Sequence, residues 1–232
     1  MKPVALITAS SQGMGEAVAR ELHARGYDLA LMARSERIVV LAQELAGVAL
    51  QGSVTEPADL ARFVDLAMER YGRIDAVVNH TGHPPKGELL AIPDADWHLG
   101  LDVVLMNVVR MGRLVTPIME KQRKGAIVNI STFAAFEPDP DFPVSASLRT
   151  ALASFTKLYA DRYAKAGIRM NNVLPGFIDS LPEKADRTAR IPMGRYGTVS
   201  ELAKTVAFLL SDDAGYVTGQ NLLVDGGLVR GI

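Results

Sequence analysis

The sequence predicts an α/β fold, one doubly wound parallel sheet in a single domain, and three observations predict it. Short β-branched apolar runs recur along the chain, amphipathic segments of helical periodicity separate them, and a glycine-bearing turn follows the first run directly. With 232 residues, 48% hydrophobic and 22% charged, the chain can bury a large core and has no long stretch too polar to pack.

Taken in order, strands are expected at 4–8, 28–33, 48–51, 76–79, 126–130, 170–173 and 222–224. Helices are expected at 13–26, 36–46, 57–71, 97–123, 146–166 and 199–210, each long enough to cross from one parallel strand to the next in a right-handed connection. No composition break, repeat or low-complexity tract interrupts this alternation, so residues 1–232 are expected to form one domain. Three segments depart from it, 82–96, 136–144 and 180–195, and all follow the carboxyl ends of strands, where ligands bind in such sheets.

Charge and composition narrow the partners. With 25 basic and 26 acidic side chains the net charge is −1, which gives no long-range pull toward nucleic acid or anionic membrane. A small-molecule substrate is expected instead. The apolar run at the start is too short for a signal sequence, and no stretch of about 18 apolar residues could span a bilayer, so a cytoplasmic location is expected. The absence of cysteine excludes disulfides, thiolate zinc sites and cysteine nucleophiles, and no metal site is expected.

The first strand runs into Thr8-Ala9-Ser10-Ser11-Gln12-Gly13-Met14-Gly15 and then into a helix with Ala17, Val18 and Leu22 on one face. Glycines at such a turn let backbone approach a diphosphate, and the helix start offers free N–H groups and the positive end of its dipole. The second strand ends Ala33-Arg34-Ser35 without the acidic residue that would accept hydrogen bonds from the ribose of NAD. Arg34 can pair with a 2′-phosphate instead, so NADP is favoured over NAD.

This turn resembles the Thr-Gly-x-x-x-Gly-x-Gly turn of the short-chain dehydrogenase/reductase family, with Ala9 in place of the first glycine. The resemblance extends over nearly the whole chain: Gly72-Arg73-Ile74-Asp75 leading to Asn79-His80-Thr81-Gly82, similar to Asn-Asn-Ala-Gly; the run 125–130; Asn172-Val173-Leu174-Pro175-Gly176; and Thr218-Gly219-Gln220 before Val224-Asp225-Gly226-Gly227. It implies a Rossmann-type seven-stranded parallel sheet of order 3-2-1-4-5-6-7, with helices on both faces. It implies a nicotinamide dinucleotide held by Thr8, Ser10, Ser11, Gln12, Gly13, Met14, Gly15 and Arg34. Ser53 and Val54 would flank the adenine, with Ser53 where the family usually has aspartate; Asn79 and Gly82 would line the site; Pro175, Gly176, Ile178 and Ser180 would hold the carboxamide. It further implies a homodimer or homotetramer built through the helices near 97–123 and 146–166 and the last strand, with a substrate loop at about 180–195.

In that family a tyrosine, a lysine four residues later, a serine and an asparagine handle the proton. Here those positions read Ser145, Arg149, Thr132 and Val104. The six tyrosines, at 27, 71, 159, 163, 196 and 216, all lack a lysine four residues on, and none lies between 138 and 158, so no shift of register restores the motif. An aliphatic hydroxyl is too weak an acid to replace a phenol, and losing general acid assistance costs about 10² to 10⁴ in rate. Arg149 stays charged and can still grip ribose hydroxyls. Loop residues His83, Glu137, Asp139 and Asp141 are candidate substitutes, and Asn107 lies one helical turn beyond Val104. Three readings remain open: an NAD(P)-dependent oxidoreductase with an altered proton-transfer site acting on a carbonyl, imine or activated C=C; a dinucleotide-binding sensor or partner subunit without redox chemistry; and a non-redox lyase or isomerase in the same pocket.

Overall fold

The computed structural model describes residues 2–231. Seven strands form one parallel sheet: β1 Val4–Thr8, β2 Asp28–Ala33, β3 Val48–Gln51, β4 Ala76–Asn79, β5 Gly125–Ile130, β6 Ile168–Pro175 and β7 Asn221–Val224, in the spatial order β3-β2-β1-β4-β5-β6-β7. The helices are α1 Gly13–Ala24, α2 Arg37–Glu44, α3 Pro57–Tyr71, α4 Asp94–Leu101, α5 Asn107–Gln122, α6 Pro143–Tyr163, the short α7 Ala185–Thr188, and α8 Val199–Leu210. The fold is thus the Rossmann-type sheet the sequence predicts.

Alternate residues of the inner strands point to opposite faces, and both faces are covered. Ala5, Ile7, Leu29, Leu31, Val78 and Val128 pack with Val18 and Leu22 of α1, Ile38 of α2 and Val206 of α8. Leu6, Met32, Val77 and Ile127 pack with Phe63 of α3, Met111 of α5 and Leu152 of α6. Local signals set the helix ends. Pro57 starts α3 and Gly72, at φ +70°, ends it; Thr198 and Glu201 form a reciprocal capping box at the start of α8.

Several boundaries differ from the sequence expectation. β6 extends four residues beyond expectation in total, because Ile168 and Pro175 pair with Gly125 and Val224 at its two ends. α6 begins at Pro143, whose ring suits the first helical turn, and gives way to a 3₁₀ turn at Ala164–Ala166. The helix expected at 97–123 starts at Asp94 and is broken by a π-helical turn, Asp102–Met106, containing Val104. The Asn107 side-chain amide donates to the carbonyl of Val103 inside that turn, which ties Asn107 to the helix backbone.

At the carboxyl edge of the sheet, four asparagines stand in register on four adjacent strands: Asn79 opposite Asn129, Asn129 opposite Asn172, and Asn172 opposite Asn221. Asn79 Nδ2 donates to Asn129 Oδ1 at 2.8 Å, Asn129 Nδ2 to Asn172 Oδ1 at 2.8 Å, and Asn172 Nδ2 to Asn221 Oδ1 at 2.7 Å. Thr156 of α6 joins the row by donating to Asn172 at 2.9 Å. The four strands from β4 to β7 are therefore bolted together by side chains as well as by the backbone ladder. No helix among the described residues is long and apolar enough to cross a membrane.

Candidate active site

The β1–α1 turn is shaped for close approach. Its N-cap, Gln12, is extended and offers no side-chain cap, leaving the first N–H groups of α1 without an intrahelical partner. Gly13 takes φ +57°, and a Cβ there would sit 3.4 Å from Ser180 Cβ, so this turn faces the loop after β6. A Cβ on Gly15 would stand 2.5 Å from the Ala9 carbonyl oxygen and 2.8 Å from Ser10 Cα. Ala9, where the family turn has glycine, is held at φ +48°. That conformation strains any residue with a Cβ, so Ala9→Gly should raise stability by about 1 kcal/mol, seen as a rise of about 2–4 °C in thermal midpoint.

Three of the residues expected at the cofactor turn their side chains into the scaffold. Thr8 donates to the His80 carbonyl at 2.6 Å and accepts from its N–H at 2.9 Å, which clamps β1 to the end of β4. Ser10 donates to the Ile7 carbonyl at 3.2 Å, and Asn79 belongs to the asparagine row. These polar side chains are buried and must find partners, and the scaffold provides them. Ser11, Gln12, Gly13 and Met14 remain on the accessible side of the turn.

Ser53 replaces the family aspartate without leaving a gap. Its N–H donates to Asp59 Oδ2 at 2.8 Å and its hydroxyl lies 2.8 Å from that of Thr55. Asp59 is held below the usual carboxylate range, chiefly by this backbone donor and then by Arg62. Val54 packs partly buried against the adjoining core. Arg34 is exposed, and its guanidinium reaches across the end of β1, with Nη2 4.0 Å from where a Cβ on Gly82 would lie. It therefore overhangs the trough above the β1–α1 turn.

The loop after β6 is fixed by backbone pairing. Gly176 N–H donates to the Val224 carbonyl at 3.0 Å, Ile178 bridges Gly197, and Asp179 Oδ1 accepts from Val199 N–H at 2.8 Å. A side chain at Gly176 would run into the backbone of Asp225, with its Cβ 2.8 Å from the Asp225 Cα. Pro175 and Ile178 are buried while Ser180 stays exposed, opposite Gly13. The cradle at Gly13 and Gly15, the overhanging Arg34 and this pinned loop together fit a dinucleotide lying across the carboxyl edge.

Two of the four proton-transfer positions meet at the start of α6. Ser145 and Arg149 stand one turn apart, and Arg149 Nε–H donates to the Ser145 hydroxyl at 3.3 Å. Arg149 Nη1 donates to the Ile130 carbonyl at 2.8 Å, anchoring the side chain to the end of β5. Arg149 as a whole is only 7% exposed, and burial without a carboxylate partner pulls its pKa down to about 10, so it remains a cation at neutral pH. Thr132 is half-buried, and its hydroxyl accepts a long bond, 3.5 Å, from Ala134 N–H at the 3₁₀ turn Phe133–Ala135. Val104 is 2% exposed and offers no polar group.

His80, the second residue of the Asn79-to-Gly82 turn, is a participant that the sequence reading passed over. Its Nδ1 sits 3.2 Å from the Ala9 carbonyl oxygen, which can only accept, so Nδ1 carries the proton and Nε2 is left as an acceptor. Burial, reinforced by the charges of Arg149 and His83, lowers its pKa from 6.5 to about 4, against the opposing bond to Ala9. His83 is also lowered, by desolvation first and then by Lys86 and Arg149. Because the folded value for His80 lies below its ordinary 6.5, the unfolded chain takes up a proton between pH 6.5 and 4 that the folded chain refuses. The stability conferred by neutral His80 is complete above pH 6.5 and lost as pH falls; between pH 7.5 and 4.5 it should amount to about 2.5 kcal/mol. His80→Asn should remove that increment when urea midpoints are compared at the two pH values.

Other candidate proton donors are engaged elsewhere. Glu137 accepts from Arg230 N–H at 3.1 Å, Asp139 pairs with Arg190 at 3.6 Å, and Asp141 is exposed. Tyr159 lies between α5 and α6 with its hydroxyl 2.6 Å from that of Thr116, and burial pushes its pKa up to about 12. His23 and His98 are exposed on α1 and α4. The sequence reading also missed an aromatic cluster at the site mouth: Phe133 meets Phe177 edge-on, Phe177 stacks on Tyr196, and Arg187 and Lys86 stack on Phe177 and Phe142. The basic residues of the 180–195 loop were visible in the sequence, but their aromatic partners lie in other loops.

A separate cleft of about 830 Å³ opens at the amino end of the sheet. Its charges satisfy one another or the backbone: Arg73 with Asp75, Lys124 with Asp212, and Arg169 with the carbonyls of Leu209 and Ser211. Among the described residues no cluster of three or more His, Cys, Asp or Glu side chains is placed to hold a metal ion.

Comparison with known proteins agrees with this geometry. Residues 8–229 match the family model described as enoyl-(acyl carrier protein) reductase. The 3-oxoacyl-[acyl-carrier-protein] reductase FabG of Thermotoga maritima is 36% identical, with 97% of each chain covered; that of Escherichia coli is 32% identical, covering 97% of this chain and 96% of its own. Among solved structures, YwfH, described as an NADPH-dependent reductase involved in bacilysin biosynthesis, superposes with a TM-score of 0.94 over the full length of both chains at 23% identity, which establishes a shared fold.

Proposed function

The chain belongs to the short-chain dehydrogenase/reductase family of NAD(P)-dependent oxidoreductases, and from that premise we propose that it is an NADPH-dependent reductase whose acceptor needs little acid assistance, such as an imine or an activated C=C. The observation that carries this reading is the division of the site: the dinucleotide cradle is built, while the phenol and ammonium that would protonate an alkoxide are replaced by Ser145 and Arg149. The cofactor, when bound, supplies the hydride. Gly13 and Gly15 admit its phosphates to the backbone, Arg34 receives the 2′-phosphate, and the loop from Pro175 to Ser180 holds the carboxamide. The relatives named for 3-oxoacyl-[acyl-carrier-protein] reduction support a reductase, and Arg34 at the end of β2, with no acidic residue beside it, favours NADPH.

NADPH should bind about 10- to 100-fold more tightly than NADH, and Arg34→Ala should erase the difference, as judged by calorimetric dissociation constants. NADPH absorbance should then fall with imines or enones well before it falls with simple ketones. Tight NADPH binding with no turnover across all three classes would overturn the redox reading and leave the second one, a dinucleotide-binding sensor or partner subunit, which the same four replacements favour. We further propose a homodimer or homotetramer, since Leu158 on α6 is 66% exposed and Leu222 on β7 39% exposed; light scattering checks it.

A further inference from the structure

Arg149 is a buried cation that no described carboxylate neutralises. Burial is the sole influence on its pKa, and its partners, the Ser145 hydroxyl and the Ile130 carbonyl, are neutral. A cation kept this way disfavours the folded state unless a ligand supplies the charge. The neighbouring titratable groups, His80 and His83, are held neutral and supply none. In the reading above the dinucleotide's anions belong to Gly13–Gly15 and Arg34, and a ribose hydroxyl carries no charge.

The loops at the start of α6 have the same bias. Phe142 immediately precedes α6, and Lys86 Nζ stands 4.5 Å over its ring; Arg187 lies 5.8 Å over Phe142 and 4.9 Å over Phe177. Both cations stack on aromatic faces rather than pair with a carboxylate. On the same loops Asp139 is held by Arg190, while Asp141, Glu183 and Asp186 are solvated.

We propose that Arg149 is a substrate-binding residue that receives a carboxylate, so the acceptor is a small organic acid whose carboxylate enters the pocket past Lys86 and Arg187. This names the substrate class for the reductase reading of the previous section and rests on it.

The test uses 4-oxopent-2-enoate and its methyl ester, which share an activated C=C and differ in charge, titrated into protein saturated with NADP⁺. The acid should bind about 10-fold or more tightly than the ester, Arg149→Met should bring the two within about 3-fold, and Arg149→Lys should keep part of the preference. The wild-type pair decides the matter even if Arg149→Met fails to fold: equal binding of acid and ester overturns the proposal. A loss of NADP⁺ affinity in Arg149→Met with the acid preference intact also overturns it, by placing Arg149 on the cofactor. Failure of wild-type protein to bind NADP⁺ at all would refute the reductase reading instead, and the acid–ester comparison on unloaded protein would still report on Arg149.

Discussion

A Ser145→Tyr/Arg149→Lys double variant should reduce a simple ketone with NADPH about 10²-fold faster than the wild-type chain. A phenol titrates near 10 and can be drawn toward neutrality by an adjacent ammonium, whereas an aliphatic hydroxyl cannot. α6 already places the two positions one turn apart, with side chains within 3.3 Å. Single-turnover loss of NADPH absorbance at saturating ketone measures the gain, and Ser145→Tyr alone should recover less because Arg149 hydrogen-bonds as a fixed planar fork rather than a compact charge. An unchanged ketone rate with intact NADPH affinity would show that these two positions do not limit the reaction, leaving Val104 in the π-helical turn as the defect. The same variant should keep only part of its preference for the carboxylate acceptor, since an ammonium remains but the planar guanidinium fork is gone.

Gly15→Ala should abolish cofactor binding, lowering NADPH affinity by about 100-fold or more and destabilising the fold by about 1–3 kcal/mol. The added methyl would lie 2.5 Å from the Ala9 carbonyl oxygen and 2.8 Å from Ser10 Cα. Both are backbone atoms of the turn that faces the diphosphate, so relief comes only by opening the cradle. The turn also bears the acceptor for His80 Nδ1, so the displacement propagates to the end of β4. Gly112→Ala within α5 is the control: its Cβ would come no nearer than 3.8 Å to Tyr159 Cε2, and cofactor affinity should be unchanged. Retained NADPH binding in Gly15→Ala would refute the placement of the diphosphate.

The motifs that suggest the nucleotide half of the site were legible because their requirements are local. A strand, a glycine turn and a helix start occur within a dozen residues; Gly13 takes φ +57°, and a side chain at Gly15 would collide with backbone close in sequence. The reading of Ser145 and Arg149 rests on a local pattern too, since spacing along one helix relates the two positions. Side-chain direction was not legible. Thr8, Ser10 and Asn79 sit in the motif that suggests a cofactor contact, yet each turns into the scaffold, because partners 3 to 72 residues away satisfy it there.

The alternation of apolar strand runs with amphipathic helices determined the parallel sheet by itself, since period and burial are properties of each segment. Register across strands, and everything that depends on it, was decided by the tertiary structure. Only the assembled sheet brings Asn79, Asn129, Asn172 and Asn221 into one hydrogen-bonded row, and only it sets His80 against Ala9 across the carboxyl edge. The charge of Arg149 was written in the sequence, but its isolation was not. That arises because folding buries the guanidinium at the end of β5 among neutral partners, while the nearby loops commit their carboxylates elsewhere or to solvent, and electrostatic need is a property of the surroundings rather than of the residue.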